Sequence, residues 1–497
     1  MTEEGAVVLG RWSRYDAVCR DSHSTRRIQW LAATLMRSLL ISTYEMGRQP
    51  FGLASAAAWL RAAGAAVTCL DASRDSVTDD TLAEHELIGF HLPMHTATRL
   101  AGPIVTRARR AHPTARISAF GLYAPLNADW LRSLGVDAVF GGEFEEELTR
   151  WATTAGSSFD KLRTSEHGSP LVVSLSNHER RVSFPRLRFL VPDRSGLPPL
   201  SRYATLQLPD GTRRTVGYTE ASRGCKHLCR HCPVVPIYEG QFRIVQPEIV
   251  LADIDAQVRA GAQHITFGDP DFFNGPTHAM RVVESLHATY PTVSYDVTIK
   301  IEHLLRHRDL LPRLTATGCA FVTSAVESVD DRVLALLAKG HTRADFADAV
   351  ALSRRAGLTL VPTFVAFHPW LTLDSYCDLL DTIVALDLVD HVAPIQLAIR
   401  LLVPEGSRLL GLDGMREHLE GFDAATLTYR WAHPDPRVDA LQQEVAAIVG
   451  ARLRADRCSV FEAISGLAHD RAGRLRVSPK PARDRTSVPY LNEPWYC

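Results

Sequence analysis

Thr215-Val-Gly-Tyr-Thr-Glu-Ala-Ser-Arg-Gly-Cys225-Lys-His-Leu-Cys229-Arg-His-Cys232 decides how this chain is read. A strand-like run leads into a loop where three cysteines fall within eight residues. Nine cysteines in 497 residues are too sparse for a disulfide scaffold, and such crowding suits metal ligation in a reducing compartment. A cytoplasmic location is therefore expected. Cys19, Cys69, Cys319, Cys377 and Cys458 are scattered, and small buried residues are expected there. Three thiolates on one short loop can bind three irons of a cubane cluster and leave the fourth iron open. The same thiolates could instead bind zinc, with His227 or His231 as fourth ligand, although the second Cys-x-x-Cys knuckle usual for zinc is missing.

Downstream of the loop, QHITFGD, VSYDVTI, CAFVTSA, LTLVPTFVAF and HVAPIQLAI read as strands separated by helical patterns such as PEIVLADIDAQVRAGA. With the strand before the cysteines they make six βα units. That pattern predicts a partial parallel (βα)6 barrel with its site at the C-terminal strand ends. Upstream, from Ser38 to Trp151, SLLISTY, AVTCLDA, ELIGFHL, ARISAFG and DAVFGG alternate with helices. Five such strands predict an α/β, Rossmann-like doubly wound sheet. Its ligand crevice would gather Thr43 to Phe51, Phe90 to Met94, Gly121 to Leu126 and Gly141 to Glu145.

The expected division is a sheet domain over 36–153, a linker and irregular connector over 154–212, the barrel over 213–410, and a helical region with a polar tail over 411–497. Hydrophobic residues at 46%, charged residues at 22% and a net charge of -1 describe an ordinary globular chain with no field to attract nucleic acid. No apolar run approaches the roughly 20 residues that span a bilayer, and the start lacks the pattern of a secretory signal. Neither nucleic acid nor membrane is expected as a partner.

The Cys-x-x-x-Cys-x-x-Cys spacing, placed after a first barrel strand, resembles the radical S-adenosylmethionine (radical SAM) superfamily over about Thr215 to Leu410. The resemblance implies a [4Fe-4S] cluster on Cys225, Cys229 and Cys232, with S-adenosylmethionine chelating the open iron. Reductive cleavage would then give a 5'-deoxyadenosyl radical. It also implies cosubstrate contacts at the strand ends. Asp269 and Asp271 lie where relatives hold the methionine amino group, Lys300 and Glu302 follow the third strand, and Glu327 and Ser328 follow the fourth. Plainer roles stay open: a turn or helix cap for the two aspartates, a helix N-terminal acid for Glu327. Arg400, ending the expected sixth strand, could hold a carboxylate bidentately or serve a structural ion pair.

The upstream sheet resembles the cobalamin-binding domain of one radical SAM class, through Pro50 to Ala54, the helix end at Gly64 and the Gly142-Glu143-Phe144-Glu145 turn. The classical cobalt-ligating histidine is missing, since Tyr44-Glu-Met-Gly-Arg-Gln follows the first strand, so cobalamin stays open. The residues NEPWYC resemble a group finishing Cys-selenocysteine-Ala-Glu-Pro or Cys-Cys-Ala-Glu-Pro. On that resemblance Cys497 is a catalytic, redox-active thiol beside a selenocysteine codon read as a stop; the alternative is a frayed terminus. The expected function is radical SAM catalysis on a small-molecule or peptide substrate, with an electron donor such as flavodoxin or ferredoxin. Cobalamin-dependent radical methyl transfer and a non-catalytic zinc protein are the alternatives.

Overall fold

The computed structural model describes residues 36–154, 187–453, 455–476 and 488–492. Cys19 and Cys497 fall outside them. Strands β1 (Arg37–Ser42), β2 (Ala66–Asp71), β3 (Leu87–His91), β4 (Arg116–Phe120) and β5 (Ala138–Phe140) form a parallel sheet in the order β2-β1-β3-β4-β5. Leu39, Leu40 and Ile41 of β1 are wholly buried because helices cover both faces, which is why the strand is a continuous apolar run. The helices are α1 (Phe51–Ala62), α2 (Asp79–Ala83), α3 (His95–Ala111), α4 (Ala128–Ser133) and α5 (Glu145–Thr153). Strand order reverses between β1 and β3, the point where such sheets take their ligands.

The second sheet begins with the hairpin of β6 (Thr205–Gln207) and β7 (Arg213–Thr219). Its turn is fastened by Asp210, whose carboxylate accepts from the Thr212 amide at 2.9 Å and from the hydroxyl at 2.7 Å. Parallel to β7 run β10 (His264–Phe267), β11 (Ser294–Thr298), β12 (Cys319–Glu327) and β13 (Leu360–Phe364), after the short pair β8 (Ser222–Gly224) and β9 (Phe242–Ile244). The C-terminal part adds the hairpin β14 (Leu419–Asp423) and β15 (Thr428–Trp431), helices Pro436–Ala451 and Arg457–Ala472, and β16 (Tyr490–Leu491). Strand β16 lies antiparallel on β6, completing the order β13-β12-β11-β10-β7-β6-β16.

Two expectations are corrected. Among the described residues the barrel has five parallel strands, because HVAPIQLAI folds into a short 3-10 helix at Pro394–Leu397 and a bridge between Phe367 and the following Arg400 stands where the sixth strand was expected. Pro394 cannot donate to a ladder, and the Gln396 side chain accepts from the Phe364 amide at 3.2 Å in place of a strand carbonyl. The region after 411 is helical only in part, since β14 and β15 pair there.

The connector clips the two sheets together. Arg194 makes a bidentate pair with Asp253 at 2.9 Å through both nitrogens, donates to Gln49 at 2.9 Å, and reaches the Tyr218 carbonyl at 2.7 Å. A polar Arg-rich stretch thus becomes a half-buried strap because the Arg194 guanidinium meets acceptors from both sides.

Candidate functional site

Strand β7 delivers the cysteine loop to the C-terminal end of the second sheet, and three neighbours fix it there. Asn274, just past β10, accepts from the Lys226 amide at 3.2 Å, while its own carbonyl accepts from the Lys226 ammonium at 2.7 Å. Arg230 caps the helix Asp331–Leu336, donating to the Leu336 carbonyl at 2.7 Å. Arg223 pairs with Glu145 at 2.6 Å and Glu220 at 2.8 Å, and Ser55 donates to that same Glu145. These bonds lock the approach to Cys225 onto α1 and α5.

Gly224 turns the chain into the loop at a φ of +73°, and a Cβ there would sit 2.4 Å from the Gln241 carbonyl. Gly224→Ala is expected to cost about 1–2 kcal/mol from the left-handed backbone alone, plus displacement of the β8–β9 pair. Thermal denaturation of the apoprotein and iron bound per chain after reconstitution measure the two consequences, and both should fall.

Cys225, Cys229 and Cys232 are free thiols, the first two buried and the third half-buried. Burial pushes the Cys232 thiol up to about 12, with the neighbouring cysteines adding to the rise and Lys339 opposing it. Such a loop favours thiolate only when cationic metal compensates, which fits a cluster. The two imidazoles that could complete a zinc site are turned elsewhere. His231 Nε2 lies 3.1 Å from Glu327, and His227 faces Asp271 at 3.5 Å and Glu302 at 3.6 Å.

Glu327 ends β12 at a left-handed φ of +69°, where the register with β13 shifts. Its carboxylate meets His231 and the Lys339 ammonium, the latter at 3.3 Å. Burial alone would raise its pKa, but Lys339 and His231 outweigh that and hold it at about 2. Lys339 carries no motif and went unremarked in the sequence; a lysine in Ala-Lys-Gly-His reads as surface, yet it is 2% exposed beside the thiolates. Ser328 caps the next turn, accepting from the Asp330 amide at 3.1 Å. Lys300 is buried at the start of the helix Ile301–Arg306, 3.8 Å from Glu302.

The two aspartates make turn and cap contacts. Asp269 accepts from the Ala221 amide at 2.9 Å and the Ser222 hydroxyl at 2.5 Å, so it fastens the turn between β7 and β8 rather than facing an open pocket. Burial raises it to about 7 against those hydrogen bonds. Asp271 is enclosed between His227 and His303. Arg400 is withdrawn from the mouth: it pairs with Asp439 at 2.5 Å, donates to the Trp431 carbonyl at 2.5 Å and lies 3.5 Å over that indole.

Cobalamin would need room between the first sheet and the cysteine loop. There Tyr123 and Leu126 pack directly with Cys225, Val234, Ile237 and Tyr238, with Met94, Leu122 and Cys232 against them. At the β1/β3 reversal His91 rests on α1 so closely that a Cβ on Gly52 would lie 2.1 Å from its Nε2. These apolar and aromatic side chains line the face between the first sheet and the cysteine loop.

Residues 219–383 match the model of the radical SAM superfamily. Among curated proteins the chain is similar to the tRNA-2-methylthio-N(6)-dimethylallyladenosine synthase of Moorella thermoacetica, 25% identical over 34% of this chain and 40% of that protein. It is also similar to a putative methylthiotransferase of Methanocaldococcus jannaschii, 24% identical over 35% of this chain and 40% of that one. The matched stretch thus spans about 40% of the length of these relatives. Among solved structures, the cobalamin-dependent S-adenosylmethionine radical enzyme OxsB shares the fold over 88% of this chain and 72% of its own, with a TM-score of 0.65 and 14% identity. The radical S-adenosylmethionine methyltransferase TsrM from Kitasatospora setae covers 71% of this chain and 74% of its own, at 0.53 and 18%.

Residues 219–383 thus carry a domain similar to the radical SAM superfamily, whose members use a [4Fe-4S] cluster and S-adenosylmethionine. More particularly, a parallel sheet precedes this domain, and the fold of the two together is shared with OxsB and TsrM. No helix among the described residues is long and apolar enough to cross a membrane.

Proposed function

We propose that this protein cleaves S-adenosylmethionine reductively at a [4Fe-4S] cluster held by Cys225, Cys229 and Cys232, and turns the resulting radical on a small-molecule or peptide substrate. The observation that carries the reading is three free thiols on one loop at the end of the first parallel strand of a radical SAM domain. When bound, the cluster supplies the electron that breaks the sulfonium bond. The chain's own residues then hold and orient. Glu327, kept ionised by Lys339 and His231, offers acceptors beside the loop, and Ser328 and Lys300 supply polar groups at the adjoining strand ends. Asp269 sets the path of the loop from below. A soluble electron donor of the flavodoxin or ferredoxin type supplies the reductant.

A second reading, cobalamin-dependent methyl transfer, is favoured by the fold shared with OxsB and TsrM. Against it stands the apolar packing of Tyr123 and Leu126 on the cysteine loop. Anaerobic reconstitution with iron and sulfide, followed by S-adenosylmethionine and dithionite, tests both. The first reading expects 5'-deoxyadenosine and methionine from protein without bound corrin. A corrin absorbance that co-purifies with the protein, with methylated product formed only in its presence, would establish the second. Absence of cleavage in protein carrying a full complement of iron would sink the first.

A further inference from the structure

Sharing the cysteine loop through His227, but made of side chains other than the thiols, lies a second group with metal-binding chemistry. His227, Asp271 and His303 each offer one ligand atom, and these three atoms all lie within 4.8 Å of one another. Oδ2 is 2.7 Å from His303 Nδ1 and 3.5 Å from His227 Nε2, and the two rings are tilted with centroids 4.7 Å apart. His227 Nε2, Asp271 Oδ2 and His303 Nδ1 are buried, and none has an aligned hydrogen-bond partner among the described residues. The side chain of Asp271 is fully enclosed and that of His303 is 5% exposed. A carboxylate oxygen left without an aligned donor at such depth is costly unless a cation answers it.

The surroundings are those of a prepared ligand set. Glu302 lies 3.6 Å from Nδ1 of His227, the far nitrogen, as a carboxylate does when it orients a metal-binding imidazole. Oδ1 of Asp271, the oxygen not facing the imidazoles, is taken up by the Phe273 amide at 3.3 Å and the Lys300 amide at 3.5 Å, which leaves Oδ2 to point inward. The three donors come from three places: the loop after β7, the loop after β10, and the helix Ile301–Arg306. Convergence from separate elements requires the whole fold, so it is not a by-product of local sequence.

We infer that His227, Asp271 and His303 form a binding site for one divalent transition-metal ion, separate from the cluster, with a two-histidine, one-carboxylate donor set. Three protein ligands leave at least one coordination position for water or for an oxygen or nitrogen of a substrate, the pattern of a site that acts on something rather than merely bracing the fold. His227 is the most exposed of the three, with 16% of its side chain accessible, and marks the side from which a ligand enters.

Zinc is the probe. Anaerobically reconstituted protein, stripped of loosely bound metal and dialysed against Zn2+, should take up one zinc per chain beyond its cluster iron, and zinc-edge absorption should show nitrogen and oxygen ligands without sulfur. Asp271→Asn and His303→Ala should abolish that zinc while iron and sulfide stay unchanged. Glu302→Gln, which leaves all three ligands in place, should weaken zinc binding by about 10–100-fold. No zinc beyond the cluster, zinc bound through sulfur, or full zinc in the Asp271→Asn protein would each overturn the site. Should Asp271→Asn or His303→Ala fail to fold by circular dichroism, Glu302→Gln decides, and unaltered affinity there overturns it as well. Failure of S-adenosylmethionine cleavage leaves these readouts untouched, so the two proposals stand or fall separately.

Discussion

Cys229→Ala protein, reconstituted with iron and sulfide, is expected to carry almost no cluster and to form 5'-deoxyadenosine no faster than an enzyme-free control. The loop supplies three thiolates for three irons and has no spare cysteine; Cys319 and Cys377, the barrel's other buried thiols, sit within β12 and within the helix Leu373–Ala385. Asn274, Arg230 and Arg223 hold the loop independently of metal, so the variant should fold and bind no iron rather than unfold. Far-ultraviolet circular dichroism separates these outcomes from iron analysis. A Cys229→Ala protein that cleaves S-adenosylmethionine at the normal rate would remove the basis of the functional assignment.

Lys339→Met should destabilise the apoprotein by about 3–5 kcal/mol, the usual result of leaving one partner of a buried ion pair unanswered. Among the described residues Glu327 would keep its pairing with His231 alone. Glu327→Gln together with Lys339→Met should cost less than the sum of the single changes, because the double variant buries no lone charge. Urea denaturation of all four proteins supplies the cycle. The sign with pH is fixed by the depressed carboxyl: the stability from this pair is complete above the ordinary value of 4.5 and is lost as pH falls through about 2. A single variant as stable as the parent would show that the pair is hydrated rather than buried.

How much of this could be read from the chain alone differs by element. The five upstream strands were legible because each is a short apolar run flanked by helical periodicity, and a parallel sheet buried on both faces requires that pattern. The cysteine loop was legible because its chemistry lies in local spacing. HVAPIQLAI was misread: Val392, Leu397 and Ala398 are buried as a strand's residues would be, and the periodicity of so short a run does not separate a strand from a compact turn. Pro394 was the signal against it. Lys339, His303 and the true partners of Asp269 were invisible for a different reason. Their roles depend on contacts across 12 residues for Lys339 with Glu327, 32 for His303 with Asp271 and 48 for Asp269 with Ala221, and no local pattern encodes which neighbour a polar side chain will meet.

The pairing of β16 with β6 has a consequence for the handling of the protein. Without residues 488–492, the outer edge of the second sheet would be β6 itself, with its outward amide and carbonyl row unpaired. Leu491 also helps cover Leu206, which is wholly buried. An uncovered hydrophobic edge strand invites pairing with the same edge of another molecule. Shortened forms that stop before Val488 would thus trade an internal strand for an adhesive border, and their self-association would reflect a lost neighbour rather than a misfolded barrel.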